Sequence, residues 1–354
     1  MKLLPRISNE VFLDKESARN VEFRPFDLHQ DLQYGFYFNN AFTEAVYDPE
    51  SYQNEQSLSP TFRKHLDDFI EILKDKFGVF AKIVEVGCGK GSFMKLLSEK
   101  NFSNLRGFDK TYQGDNSNIV KDYLTKDYFP LGADVIVLRH VLEHVPDPIN
   151  FLLELEAVNG KQCFFAIEVP SMEWNLRAKA YWDFGYEHVN YFTKESFHKI
   201  FNECEASEVF GGQYLLVIAS SLTIVRRKTQ NSEPSSLYMD LLDDAFNEHP
   251  INDIGTSGAR YWVWGAGGKG VLALFHLEQF GVEKFMPPLG VVDINPAKQG
   301  RFMVSSGAEV VSAEYFFARA EDGDFVLIAN PIYETEIKEY IKKNCDKKIS
   351  FRLF

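Results

Sequence analysis

The segment Glu85–Gly91 constrains the fold of this chain more than any other. It reads Glu-Val-Gly-Cys-Gly-Lys-Gly, follows the apolar run AKIV and precedes the amphipathic stretch SFMKLLSEK. Glycines at alternate positions let the backbone turn sharply and approach a ligand closely, because no Cβ atom is in the way. The pattern therefore predicts a β-strand, a ligand-binding turn and an α-helix, the first unit of an α/β fold.

The alternation of strand and helix patterns extends from about residue 76 to residue 228, with candidate strands AKIVEVG, NLRGFD, NIVKD, ADVIVLR, CFFAIEV and YLLVIAS. After the polar stretch TQNSEPSS, a second series runs through RYWVWG, LGVVD, AEVVS and DFVLIAN. The sequence thus predicts three parts. These are an N-terminal module (1–75), a Rossmann-like domain (76–228), and a linker helix with a second, smaller Rossmann-like domain (229–354).

The spacing of the first glycine loop indicates which cofactor it binds. In a dinucleotide-binding loop the third glycine comes three residues after the second, whereas Gly91 comes two residues after Gly89. The resulting ExGxGxG pattern resembles motif I of class I S-adenosylmethionine (SAM)-dependent methyltransferases. The next strand ends at Asp109, 22 residues after Gly87, where a carboxylate can accept hydrogen bonds from both ribose hydroxyls of an adenosine.

This resemblance implies that SAM is the cofactor. In the family the loop passes under the methionine part of SAM, and the residue that ends the third strand, here Asp122, often contacts the adenine amino group. The expected cofactor-binding residues are Glu85, Gly87, Cys88, Gly89, Gly91, Asp109, Asp122 and Arg139.

The segment His140-Val-Leu-Glu143-His144 after the fourth strand allows two interpretations. It matches the H-x-x-E-H motif of inverted zinc peptidases, but that site needs a continuous helix, and Pro146 and Pro148 follow at once. The alternative is the loop after strand four of a methyltransferase, at the ligand-binding edge of the sheet. There His144 serves either as a general base or only as part of the adenosine pocket.

After strand five, an insertion leads into Tyr186-Glu187-His188-Val-Asn-Tyr191. The acid and the imidazole suit proton transfer, and the aromatic side chains suit stacking on a sugar or a base.

Together with this segment, the motifs of the chain resemble those of the sugar C-methyltransferases that act on nucleotide-linked 4-keto-deoxysugars. The resemblance covers EVGCGKGSF, the HVP loop, EHVNYF, the Tyr52 segment SYQNEQSLSPTFRKH, WGAGGKG and DINPAKQGR. It implies C-methylation through an enolate, with His188 or His144 as the base and with Tyr52 and Glu187 orienting or polarising the substrate. Tyr186 and Tyr191 are expected to bind the substrate. An O-methyltransferase acting on a sugar hydroxyl is the alternative.

Two positions depart from this family. Its N-terminal module usually holds zinc with two CxxC pairs, whereas residues 1–80 contain no cysteine, and Asp31-x-x-Tyr34-Gly35 stands where CxxCG is expected. We therefore expect a zinc-free module and no metal elsewhere. The family also often has a catalytic tyrosine two residues before the Glu-His pair, where this chain has Gly185.

The second glycine loop, Gly265–Gly270, has a formal GxGxxG spacing that is also typical of nicotinamide-dependent oxidoreductases. The acid that closes the next strand, Asp293, lies 28 residues after Gly265, which is beyond the usual distance of about 20. We expect instead that Gly267 and Lys269 hold the phosphates of a nucleotide sugar, or that the loop is purely structural.

Composition narrows the range of partners. The net charge of −13 disfavours nucleic acid, and no apolar run is long enough to span a membrane. The four cysteines lie far apart and the N-terminus lacks a signal-peptide pattern, so a cytoplasmic enzyme with a small-molecule substrate is expected.

Overall fold

The computed structural model describes residues 2–44, 48, 51–227, 260–280 and 286–354. The predicted linker helix lies outside the described residues. The first part of the chain forms short elements: β1 (Lys2–Pro5), β2 (Val11–Phe12), α1 (Lys15–Arg19), β3 (Phe23–Phe26), β4 (Leu28–Gln30) and β5 (Tyr37–Asn39).

The first α/β domain begins with a long amphipathic helix. Ser59 caps its first turn by accepting a hydrogen bond from the Phe62 amide, and Gly78 ends it. In chain order the elements are α2 (Pro60–Phe77), β6 (Ile83–Val86), α3 (Ser92–Glu99), β7 (Leu105–Phe108), β8 (Ile119–Val120), β9 (Val135–Arg139), α4 (Pro148–Asn159), β10 (Phe164–Pro170), α5 (Met172–Arg177), β11 (Asn190–Tyr191), α6 (Lys194–Ile200), β12 (Cys204–Val209) and β13 (Tyr214–Ser220).

Seven of these strands form one sheet in the order β12-β13-β10-β9-β6-β7-β8. All neighbours are parallel except β13, which runs antiparallel to both β10 and β12. The chain order reverses at β6, which lies between β7 and β9. Ligands of open α/β sheets bind outside the carboxyl ends of the strands at such a reversal. The fold places the Glu85–Gly91 loop at this position.

The second α/β domain contains a five-stranded parallel sheet in the order β17-β15-β14-β18-β19. Its elements are β14 (Tyr261–Trp264), α7 (Gly268–Phe280), β15 (Val291–Val292), β16 (Phe302–Met303), β17 (Val310–Val311), α8 (Ala313–Arg319), β18 (Phe325–Ile328), α9 (Glu334–Asn344) and β19 (Ser350–Leu353). A Cβ atom on Gly270 would lie 2.0 Å from the Gly265 carbonyl oxygen, so the last glycine of the loop is required for packing. Within the described part of the chain, every helix is too short or too polar to cross a lipid bilayer.

The N-terminal strands pair with both α/β domains. Strands β4 and β5 form a three-stranded sheet with β11, and β2 pairs with β16 of the second domain. At Asp31–Gly35, where the resembled family has a CxxCG knuckle, the Asp31 carboxylate accepts hydrogen bonds from the amides of Gln33 and Tyr34 and pairs with Arg227. A carboxylate-capped turn thus occupies the place of the cysteine knuckle.

Three of the apolar cores among the described residues hold these parts together. The first sheet packs on α2 and α3 through one face and on α4 and α6 through the other. The third core combines the N-terminal strands, the segment 172–191 and one face of the second sheet, and Trp182 and Tyr186 lie in it with Val263 and Leu272. Because the two α/β domains share this core, the residues between them are held in place.

Candidate active site

The first glycine loop has a backbone that only glycine adopts readily. Gly87, Gly89 and Gly91 have φ angles of 73°, 54° and 78°. A Cβ atom on Gly87 would lie 2.5 Å from Val141, and one on Gly91 would lie 2.5 Å from Ile119. The loop therefore exposes its backbone at the carboxyl edge of the sheet, the geometry that close approach of a ligand requires.

The two acids expected to contact the adenosine part of SAM differ in their surroundings. Asp109 lies against the glycine loop, where its carboxylate accepts hydrogen bonds from the Gly89 amide at 2.8 Å and from the Thr111 amide and hydroxyl at 2.8 and 2.7 Å. Asp122 is exposed and accepts a hydrogen bond from the Tyr128 hydroxyl at 3.1 Å. The fold thus brings Asp109, but not the Asp122 side chain, into direct contact with the loop.

Glu85 and Arg139 lie beneath the loop. Glu85 is buried, and its Oε2 atom has no hydrogen-bond partner among the described residues. Burial raises the pKa of Glu85 to about 7, although the nearby positive charge of Arg139 opposes the increase. The Arg139 guanidinium donates to Glu168 at 3.1 Å and lies 4.6 Å from the centre of the Phe93 ring. An unpaired carboxylate oxygen beside the loop suits the ammonium group of SAM.

A buried charge network is centred on Glu168. This residue is fully buried and binds Arg139, His65 at 2.6 Å and His140 at 3.2 Å. Burial alone would raise the pKa of Glu168, but Arg139 and the hydrogen bonds from His140 and His65 hold it well below its usual range. His140 also binds Glu143 at 3.2 Å. Neither His65 nor Glu168 was predicted as a site residue.

The H-x-x-E-H segment does not form the helix that a zinc peptidase needs. His140 has a left-handed backbone with a φ of 52°, and only Leu142–His144 form a short 3-10 turn. His140 and His144 therefore do not share a helix face, and the peptidase interpretation loses its geometric basis.

His144 and His188, the two candidate bases, lie next to each other. Their ring centres lie 4.9 Å apart in an edge-to-face arrangement. The Nδ1–H of His144 donates to the Glu187 carbonyl oxygen at 2.8 Å, so the neutral ring carries its lone pair on Nε2. Burial, followed by the nearby charges of His144, Lys269 and His140, holds the pKa of His188 well below its usual range.

This pair lies in a cleft between the two α/β domains, with a cavity of about 220 Å³. From the second domain, the loop Gly265–Gly270 lines the cleft, and from the rest of the chain it is lined by Asn9, Tyr52, Glu143, His144, Asp183 and His188. The Tyr52 hydroxyl is hydrogen-bonded to the Asn9 side chain. Burial and the charges of Glu187 and Glu143 raise the pKa of Tyr52 well above its usual value, so this phenol stays protonated and can donate.

Three of the expected residues do not line the cleft. The Glu187 carboxylate accepts hydrogen bonds from the Ser8 amide and hydroxyl at 2.8 and 2.6 Å. Tyr186 is fully buried and bonds to Thr43, while the Tyr191 hydroxyl donates to the Gly185 carbonyl at 2.9 Å. Tyr186 and Tyr191 thus have polar partners within the protein, and their rings fill the core. The second carboxylate oxygen of Glu187, Oε2, is buried without a hydrogen-bond partner among the described residues.

Glu143, His144 and His188 each offer one metal-ligating atom, and these atoms lie within 4.8 Å of one another. Among the described residues this is the group that could hold a metal ion, and it differs from the His140–His144 pair of the peptidase motif. That the protein holds no metal stays a prediction. These three residues are the ones to substitute when it is tested.

The second glycine loop makes contacts within the protein at several of its polar groups. Gly267 lines the cleft, but Lys269 forms an ion pair with Asp183, and the Gly268 amide donates to Asn9 at 2.8 Å. Asp293 accepts hydrogen bonds from the amides of Ala266 and Asn295, both at 2.8 Å. These contacts engage the amide and the acid that a nicotinamide dinucleotide uses for its pyrophosphate and ribose.

Comparison with known proteins supports the assignment of the first α/β domain. Residues 60–205 match the family model described as a methyltransferase domain. The chain carries a class I SAM-dependent methyltransferase domain. SAM is therefore the cofactor of this methyltransferase, and the glycine loop, Asp109 and the unpaired Glu85 oxygen fit it.

Solved structures give weaker similarities. A SAM-dependent methyltransferase from Aquifex aeolicus is 19% identical, with a TM-score of 0.34 over 51% of this chain and 100% of its own. The 1,6-didemethyltoxoflavin-N1-methyltransferase of Burkholderia thailandensis is 12% identical, with a TM-score of 0.35 over 54% of this chain and 97% of its own. No curated protein sequence matches the chain. Identity and TM-score are too low in both structures to indicate a substrate.

Proposed function

We propose that this methyltransferase acts on a sugar and that it C-methylates a nucleotide-linked 4-keto-deoxysugar through an enolate. The observation that carries the proposal is the pair of imidazoles, His144 and His188, in a cleft that the glycine loop Gly265–Gly270 also lines. Such a cleft can hold a small molecule between a proton-accepting group and backbone amides.

His188 is the proposed base. Its low pKa keeps the ring neutral near pH 7, and its Nδ1 atom is buried without a hydrogen-bond partner among the described residues. A neutral imidazole with an available lone pair can remove a proton from the carbon beside a ketone, which is weakly acidic. Bound SAM would supply the methyl group to this carbon and would leave as S-adenosylhomocysteine.

His144 supports this role as a second proton acceptor. Its contact with the Glu187 carbonyl oxygen fixes the tautomer and holds the ring against His188. The edge-to-face contact between the two rings places a second imidazole next to the proposed base. We infer that the proton taken by one ring is shared with the other.

Tyr52 is the proposed donor to the enolate oxygen. Its hydroxyl stays protonated, faces the same cleft and is oriented by Asn9. A fixed donor where negative charge develops stabilises the transition state more than the ground state. In this scheme Glu187 acts on the site through its backbone carbonyl and through Ser8, as a positioning residue.

The proposal is tested by supplying the enzyme with ¹³C-methyl-labelled SAM and a panel of nucleotide-linked 4-keto sugars. NMR of the product is expected to show a new carbon–carbon bond at the position beside the ketone. With S-adenosylhomocysteine in place of SAM, the same carbon is expected to exchange its hydrogen for deuterium in D₂O, and His188→Asn is expected to abolish this exchange. A methoxy product without exchange identifies an O-methyltransferase, and no transfer to any nucleotide sugar refutes the proposal.

A further inference from the structure

The Asp183 carboxylate is buried at the wall of the cleft with only one of its oxygens paired. The residue is 7% exposed, and its Oδ1 atom forms an ion pair with the Lys269 ammonium. Its Oδ2 atom has no hydrogen-bond partner among the described residues. Leaving a buried carboxylate oxygen unpaired is costly, and native proteins do so rarely without a functional reason.

Both domains fix the position of this carboxylate. Asp183 ends the short 3-10 turn Tyr181–Asp183 of the first domain, and its amide donates to the Ala180 carbonyl. Lys269 is the second residue of α7 in the second domain, and its ammonium also lies 5.3 Å from the centre of the Trp174 ring. The unpaired oxygen is therefore held at the junction of the two domains and cannot easily turn to another partner.

A nearby tyrosine does not supply the missing donor. Burial, followed by the nearby charge of Asp183, raises the pKa of Tyr191, and its hydroxyl donates to the Gly185 carbonyl instead. Asp183 lines the same cleft as His188 and Tyr52, so an acceptor bound there lies beside this residue.

The chemistry of the pair selects the type of donor. A neutral hydroxyl can donate to Oδ2 without disturbing the charge balance between Asp183 and Lys269. An anionic group such as a phosphate would instead be repelled by the carboxylate. We infer that Asp183 accepts a hydrogen bond from a hydroxyl group of the methyl acceptor and so selects acceptors that carry this hydroxyl. The inference rests on the proposed function, since it takes the acceptor to be a sugar.

The test compares the best nucleotide-sugar acceptor with a series of analogues that each lack one hydroxyl. For the wild-type enzyme, one analogue is expected to lose about 100-fold in kcat/KM because the carboxylate is left unpaired. The double variant Asp183→Leu/Lys269→Met removes both charges at similar volume, so that no unpaired ion is buried. It is expected to lose about 10-fold to 100-fold with the full acceptor, mainly through KM, and to lose nothing further with that one analogue.

Two further variants separate recognition from folding. Asp183→Asn keeps the volume and tests the loss of the negative charge alone should the double variant fold poorly. Asp134→Asn removes a carboxylate from an exposed ion pair with Lys161 and is expected to leave the pattern of discrimination unchanged. If the Asp183 variants lose activity equally with the full acceptor and every analogue, the ion pair is only structural and the inference is overturned. A wild-type enzyme that methylates no nucleotide sugar refutes the proposed function instead.

Discussion

The charge network beside the cleft predicts that His140 makes the stability of this protein depend on pH. His140 has a left-handed backbone and lies between the carboxylates of Glu143 and Glu168. Asparagine tolerates this backbone better than most residues, so His140→Asn removes the titrating ring with little backbone strain.

The magnitude follows from the pKa of His140 in the folded protein. Burial opposes the positive charge, but the hydrogen bonds and charges of Glu143 and Glu168 outweigh it and raise the pKa of His140 from 6.5 to about 9. A group with a raised folded-state pKa stabilises the protein fully below its unfolded-state value, and this stabilisation is lost as the pH rises through the folded-state value. Between these limits the contribution to the free energy of unfolding falls by roughly 3 kcal/mol.

The assay is urea unfolding of the wild-type protein and His140→Asn, followed by circular dichroism between about pH 6 and pH 9. The difference in the free energy of unfolding between the two proteins is expected to shrink by roughly 3 kcal/mol across this range. Glu168 does not contribute to the change, because its pKa lies well below the range. A difference that stays constant with pH would show that His140 is not held protonated by the two carboxylates, and the reasoning would fail.

Three other predictions concern the cofactor, the base and the metal. Asp109→Ala is expected to weaken binding of S-adenosylhomocysteine by about 2–3 kcal/mol in calorimetry, because the charge-assisted hydrogen bonds to the ribose are lost. The absence of any binding to the wild type would contradict the cofactor assignment. His188→Asn is expected to lower kcat by about 10²–10⁴ with unchanged SAM affinity, and an unchanged kcat would make His144 the base. Elemental analysis of the purified protein is expected to find no stoichiometric metal, and about one ion per chain that disappears in Glu143→Gln would refute this.

Local patterns predicted the parts of the site that a short stretch of chain builds alone. The turn at Gly87 needs only its own glycines, and Asp109 follows from the length of one strand–helix–strand unit. The sequence did not predict β12, an edge strand whose side chains are half-buried or exposed and therefore lack an apolar run. The six strands predicted for the first domain, by contrast, are all present.

The direction in which each side chain points could not be predicted from the sequence. Tyr186 and Tyr191 suit a ligand-stacking wall as well as a core, and only the packing of three separate segments decides for the core. Glu187 is adjacent to His188 in the chain, yet its carboxylate faces Ser8 in the N-terminal segment. Asp183 was not singled out either, because its importance depends on a lysine of the other domain.

The N-terminal segment also determines when the cleft can be completed during folding. The hydrogen bonds from Ser8 to Glu187 and from Gly268 to Asn9 join residues 179 and 259 positions apart. Contacts with such sequence separations form late, because long loops must close before the contacts stabilise anything. During synthesis, Ser8 and Asn9 leave the ribosome long before either partner exists. We therefore expect the cleft to be among the last parts of the enzyme to form, after the glycine loop Glu85–Gly91, which is built from neighbouring segments of the chain.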